Sequence, residues 1–140
     1  MTAAEKILYR IMDANYNRAK EALRVAEDIR RFSRLKKNQA KAWKTARHQL
    51  TRILLGLPRG YQDLVTCRDV PRDPGRTGTI RDKKGKLKLH DLLFANIQRA
   101  QEALRVLEEC SKIVNPKSAA AFARLRFHIY DLEKRTAAAI

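Results

Sequence analysis

The chain is poor in residues that turn, staple or stack. In 140 residues it has 5 glycines, 4 prolines, 2 cysteines and 1 tryptophan, and aromatics make up 6%. Each scarcity excludes something. Two cysteines cannot build a disulfide framework, and neither lies at metal spacing from another Cys or His, so no metal–thiolate site is expected. Cys110 falls at an apolar helix position and reads as a small core residue, whereas Cys67 precedes a polar loop. Scarce, clustered Gly and Pro argue against a β protein and against a disordered chain. Apolar runs are far too short to cross a bilayer and the N-terminus lacks a signal-peptide layout, so a soluble cytoplasmic protein is expected. Acidic residues are also few: 15 Asp and Glu face 31 Lys and Arg, a formal charge of +16. Such an excess draws nucleic acid, phosphorylated metabolites or an acidic membrane surface without choosing among them. It suits a surface charged for solubility or heat equally well.

Helix formers fill the space that is left. Hydrophobic residues are 44% of the chain, enough for a core, and the length fits one domain, residues 1–140. Thr2 and Glu5 make a T-x-x-E capping box that opens a helix over residues 2–32. Along it Leu8, Ile11, Met12, Ala19, Ala22, Ala26 and Ile29 recur at helical spacing. A second helix runs from about Gln39 to Leu55, with Trp43, Ala46, Leu50, Ile53 and Leu54 on one face, and Gly56 and Pro58 end it. Residues 67–89 hold three of the five glycines and two of the four prolines and read as a long loop, with a hairpin around Lys84-Gly85. Loops of that length inside a compact domain are often functional. A third helix starts near His90 or Asp91, which His90 caps or precedes, and runs to Val114. Asn115-Pro116 supplies the N-cap and N1 proline of a fourth, ending near Thr136. Its inward residues are Ala121, Phe122, Leu125, Ile129 and Leu132.

Residues 14–27 read ANYNRAKEALRVAE and residues 95–108 read ANIQRAQEALRVLE; 10 of 14 positions are identical at an offset of 81. Each copy is followed by a helix with an Arg near a His, Arg47-His48 and then Arg126 and His128. The expected fold is therefore all-α: a pseudo-twofold bundle of two helical hairpins, repeats at about 2–57 and 90–136, with a functional loop at about 58–89 between them.

Helix geometry gives each repeat residue a direction. With Asn15 as the reference, Leu8, Ile11, Ala19, Ala22, Ala26 and Ile29 all lie within about 40° of it, and Arg18 stands about 60° away at the stripe's edge. Asn96 and Arg99 hold the same places in the second copy. An inward Asn beside a half-buried Arg is costly without partners. One reading is a helix-register device with Arg held by Glu21 or Glu102. The other is a polar pocket between the hairpins, where Arg18, Arg99, Arg47 and Arg126 bind phosphate oxygens. Arg24, Arg105, Glu27 and Glu108 read as a solvated salt-bridge ladder. His48 and His128 have no evident carboxylate partner and read as structural or surface residues. In the loop, Arg68-Asp69 and Asp73-Pro74-Gly75 place two carboxylates and a guanidinium where they can hold Mg²⁺, take a proton or simply cap turns. No GxxxxGK[ST], GxGxxG or GxSxG motif is present.

Taken together, DANYNRAKEALRVAEDIRRF at residues 13–32, the second copy with Leu107-Glu108-Glu109, Arg47-His48-Gln49-Leu50, Arg68-Asp69 and the closing RLRFHIYDLEKR at residues 124–135 resemble a thiamine-biosynthesis domain found alone or fused ahead of thiamine-phosphate synthase. The resemblance implies a kinase converting hydroxymethylpyrimidine monophosphate to the diphosphate with ATP and Mg²⁺. It puts Asp69 and Asp73 in the catalytic and metal roles, and Asn15, Arg18, Arg47, Arg68, Asn96, Arg99 and Arg126 in substrate or phosphate binding. The family loop tends to read RD-T-x-x-D-V-G-T; here Pro74 stands for Val and Arg76 intervenes before Thr77. The synthase portion has no counterpart in these residues, so synthase activity is not expected. The partners implied are the phosphorylated small molecule and ATP, with thiamine-phosphate synthase or a second copy of the chain as protein partners and no membrane. The competing class is a non-catalytic basic module for RNA or a thiamine-pathway protein. It is disfavoured because Trp43 lies on an apolar stripe and the basic residues spread over all helices.

Overall fold

The computed structural model describes residues 1–33, 37–77 and 88–139. Five helices build it: α1 (Ala3–Ser33), α2 (Lys37–Leu55), α3 (Gly60–Thr66), α4 (Leu89–Val114) and α5 (Pro116–Ala138). Among the described residues there is no strand, so the fold is all-α as expected. No described helix is long and apolar enough to cross a membrane.

The helix ends follow their local chemistry. Glu5 N–H donates to Thr2 Oγ1 at 3.1 Å and Thr2 N–H donates to Glu5 Oε2 at 2.6 Å, closing the capping box. The Thr2 N–H, given to the ionised carboxylate, also holds Glu5 below the usual carboxylate range. Asn115 caps α5, its side chain accepting from Lys117 N–H at 3.3 Å, and Pro116 follows at N1. His90 does not cap α4: it lies inside the first turn, and Lys88 N–H donates to Asp91 Oδ2 at 3.2 Å.

The stretch expected as a loop at 58–89 is more structured than its composition implies. α3 occupies seven residues of it, entered through Gly60 at φ 60, where a side chain would be strained. Leu64 is fully buried as α3 packs on α1 and α2. Two 3₁₀ turns follow, Val70–Arg72 and Pro74–Thr77. The Lys84-Gly85 hairpin lies outside the described residues.

α1 and α2 run antiparallel, since Tyr16 meets Thr51 while Glu27 meets Arg47. α4 and α5 do likewise, with Gln101 meeting Glu133 and Glu108 meeting Arg126. The two repeat helices, α1 and α4, pack on each other, and α2 meets α5. The shared core contains Met12, Tyr16, Leu23, Trp43, Leu50, Leu104 and Phe122. Cys110 joins it as expected, and burial pushes its thiol up.

The direction of α1's buried arc corrects the sequence reading. Asn15 is buried but marks the arc's border, and Ile11 is 41% exposed. Met12, Ala19, Leu23 and Ala26 put the centre about 60° further round, which leaves Arg18 about 120° away and exposed. α4 repeats the displacement with Leu93, Ala100 and Leu104, and Arg99 is exposed too. The cause is that α1 lies between α4 on one side and α2 with α3 on the other, so it buries a wider arc than a helix with one covered face.

Candidate functional site

A cleft of about 170 Å³ forms where the N-terminal half of α1 meets the turns after α3. Arg10, Asp13 and Ala14 line it from α1; Arg68, Asp69, Val70 and Asp73 line it from the other side. Asp13 is nearly inaccessible, and such a carboxylate requires partners. Arg68 supplies them as a fork: Nε donates to Oδ2 at 2.5 Å and Nη2 to Oδ1 at 2.8 Å. Asn17 Nδ2 adds a contact to Asp13 Oδ1 at 3.2 Å. The Asp13 carboxylate, with a smaller contribution from Tyr61, pushes Arg68 further above its already high range, so the guanidinium stays charged. The pair ties residue 68 to α1 across 55 positions of sequence and fixes the start of the turns.

Those turns present the other two carboxylates. Asp69 lies 3.6 Å from Arg72 Nη1, a long and exposed contact. Asp73 Oδ1 accepts from Gly75 N–H at 2.8 Å, an Asx-type turn. A Cβ on Gly75 would meet that same Oδ1 at 3.2 Å, so glycine here lets the turn close on the carboxylate. Pro74 and Arg76 are accommodated in the 3₁₀ turn without losing this contact. The cleft thus holds three carboxylates and two guanidiniums, with one carboxylate neutralised by its fork. Among the described residues no three His, Cys, Asp or Glu gather to hold a metal. Mg²⁺ does not need three, because it is commonly held by one or two carboxylates together with substrate phosphates, and Asp69 and Asp73 fit that role.

Of the residues singled out in the sequence, Arg68, Asp69 and Asp73 come together here. The others stand elsewhere. Asn15 Nδ2 donates to the Ile11 carbonyl at 2.9 Å, and Asn96 Nδ2 to the Leu92 carbonyl at 2.9 Å, the same back-bond in both copies. Arg18 reaches Asn15 Oδ1 at 3.4 Å from the surface, and Arg99 is exposed. Arg47 Nε donates to Glu27 Oε2 at 2.8 Å. Arg126 donates through Nε and Nη2 to Glu108 Oε2 at 3.0 and 2.9 Å. The Tyr130 hydroxyl and then Glu108 raise Arg126 above its usual range. The solvated ladder is corrected accordingly. Arg24 and Arg105 do approach Glu27 and Glu108 at 3.6 and 3.5 Å. Both glutamates are nonetheless buried, and their stronger partners are arginines on the neighbouring helix.

Asp13 and Arg10 are the cleft residues that sequence reasoning missed. A signal was available, because Asp13 breaks the repeat: its counterpart 81 residues on is Phe94.

Fold and cleft together define an all-α domain with a charged cleft between a long helix and the turns after a short one. The chain belongs to the ThiD2 family, whose model matches residues 10–135. It is 36% identical over 129 residues to a thiamine-phosphate synthase of Nostoc punctiforme, covering 92% of this chain and 35% of that protein. The synthases of Synechocystis sp. and Gloeobacter violaceus are 37% and 38% identical over 131 and 129 residues, covering 94% and 92% of this chain and 36% of each relative. The chain spans about a third of the length of these curated relatives. It is a thiamine-biosynthesis domain. No solved structure matches it significantly.

Proposed function

We propose that this domain phosphorylates hydroxymethylpyrimidine monophosphate with ATP, giving the diphosphate and ADP. The observation that supports it best is the cleft's combination of two loosely partnered carboxylates, Asp69 and Asp73, with the Arg68 guanidinium held in place by Asp13. Family membership adds the pathway, and the relatives' printed activity, synthesis of thiamine phosphate, lies in the same biosynthesis.

A terminal oxygen of the substrate phosphate attacks the γ-phosphorus of ATP, the bond to the β–γ bridging oxygen breaks, and ADP leaves. The second pKa of such a phosphate is about 6, so near neutrality the nucleophile is largely dianionic and needs no general base. The carboxylates are therefore assigned to metal binding and not to proton removal. Mg²⁺, when bound, supplies neutralisation of the phosphate oxygens. Asp69 and Asp73 would hold it; Arg68, with Nη1 not used by Asp13, and Arg10 face the transferring group as cations. Asn15, Arg18, Arg47, Asn96, Arg99 and Arg126 lie outside this cleft, and a phosphate role for Arg47 or Arg126 would require opening a buried ion pair.

Phosphorus NMR of the full chain with ATP, Mg²⁺ and hydroxymethylpyrimidine phosphate tests the reading. A new diphosphate signal accompanied by equimolar ADP is expected. ADP without the diphosphate, or neither product from folded protein, rejects it.

A further inference from the structure

A second groove lies on another face of the bundle, between α2 and α5, with a volume of about 410 Å³. Its charged lining is of one sign. Arg52 comes from α2 and Arg124 from α5, and no Asp or Glu lines it. Among the described residues neither arginine has an ion-pair or side-chain hydrogen-bond partner. Both are exposed, whereas the more enclosed arginines Arg47, Arg126 and Arg68 are matched by Glu27, Glu108 and Asp13. Gln49 and His128 complete the polar rim, and Ile53 and Leu125 form an apolar floor. Gln49 and His128 each stand two residues after the buried arginine of their own hairpin, Arg47 and Arg126. The groove is therefore built jointly by the two halves, and neither hairpin alone supplies both guanidiniums.

Two guanidiniums lining one groove with no carboxylate among its lining residues make it locally positive, and a bound anion offsets that charge. A phosphate ester carries a charge of about −1.5 to −2 near neutrality, which matches both arginines, whereas a carboxylate leaves one unmatched. The volume suits a small molecule, and the apolar floor suits the body that carries the phosphate. A longer polyanion would need further cations in line with these two, and none lines the groove.

We propose that the α2–α5 groove is a binding site for the phosphate or diphosphate group of a small metabolite, held between Arg52 and Arg124. The site is separate from the carboxylate cleft, and its occupancy does not depend on phosphoryl transfer taking place. Gln49 and His128 donate or accept at the rim and orient the group.

Calorimetric titration of inorganic pyrophosphate into the full chain, without ATP or Mg²⁺ and at fixed ionic strength, tests the assignment. Saturable binding is expected, weakened about tenfold or more in Arg52→Gln and in Arg124→Gln, the scale of losing one charge-assisted contact. Arg24→Gln removes an equal charge from an exposed residue that does not line the groove and should change affinity by less than about twofold. An equal loss in all three variants, or no saturation in the wild type, overturns the proposal. Wild-type NMR titration provides a reading that does not depend on the folding of any variant. The side-chain signals of Gln49 and His128 should shift on the pyrophosphate isotherm, and their failure to move also overturns it. A domain that binds pyrophosphate here yet transfers no phosphate refutes the kinase reading alone.

Discussion

At the scale of single residues, the Asp13–Arg68 fork has unequal halves. The Asp13 side chain is 7% exposed and that of Arg68 35%. Without Asp13, Arg68 can turn into water; without Arg68, Asp13 keeps its charge inside with only Asn17 as partner. Arg68→Gln should therefore destabilise more than Asp13→Asn, by about 2 against about 1 kcal/mol after discounting for the exposed arginine. Urea midpoints at constant slope check the order, and the reverse order contradicts the geometry. The cysteines make a second residue-scale contrast. Burial raises the Cys110 thiol and so lowers its thiolate fraction at any pH below that raised value, while Cys67 is partly accessible beside Met1. A thiol reagent at pH 8 should label Cys67 first, and Cys110 only at the rate of opening or unfolding. Simultaneous labelling of both would contradict the packing of α4.

At the scale of elements, each hairpin is clasped by one buried ion pair, Glu27–Arg47 and Glu108–Arg126. Removing one partner from such a pair strands a charge, whereas replacing both with apolar residues is close to neutral. Arg126→Met should cost about 3 kcal/mol, and adding Glu108→Leu should restore most of it. Thermal melts of the single and double variants decide this. If Arg126→Met leaves stability unchanged, the clasp is not structural and the arginine is free for a ligand. Much of this scale was legible beforehand. The capping box, the Asn115-Pro116 start and the 81-residue repeat located α1, α4 and α5 to within a few residues, because caps and periodicity are local signals. α3 was not legible, because seven residues are too few to show a period and their stability comes from burying Leu64 against two other helices. The burial of Glu27 and Glu108 was also hidden. Charged residues at i,i+3 from an arginine look solvated until the neighbouring helix is placed. The cleft was half legible: Arg68, Asp69 and Asp73 stood out by type, but Asp13 was joined to them only by tertiary contact.

At the scale of the whole molecule, a charge of +16 draws any phosphate toward any face. Weak binding of anions is thus uninformative about the cleft, and only a change that leaves attraction intact can report on it. Asp69→Asn is such a change. It keeps the shape of the side chain and makes the protein more positive by one, so bulk attraction for ATP and the substrate does not fall. Asp69 has no buried partner to strand, so stability should stay within about 0.5 kcal/mol. The decisive measurement is the initial rate of diphosphate formation from hydroxymethylpyrimidine phosphate, ATP and Mg²⁺ by the wild type and by Asp69→Asn at equal ionic strength. The account predicts a measurable wild-type rate that falls about a hundredfold in the variant, the scale of losing one electrostatic contact in a phosphoryl-transfer site. A wild type that forms no diphosphate, or a variant that keeps the wild-type rate, would contradict it.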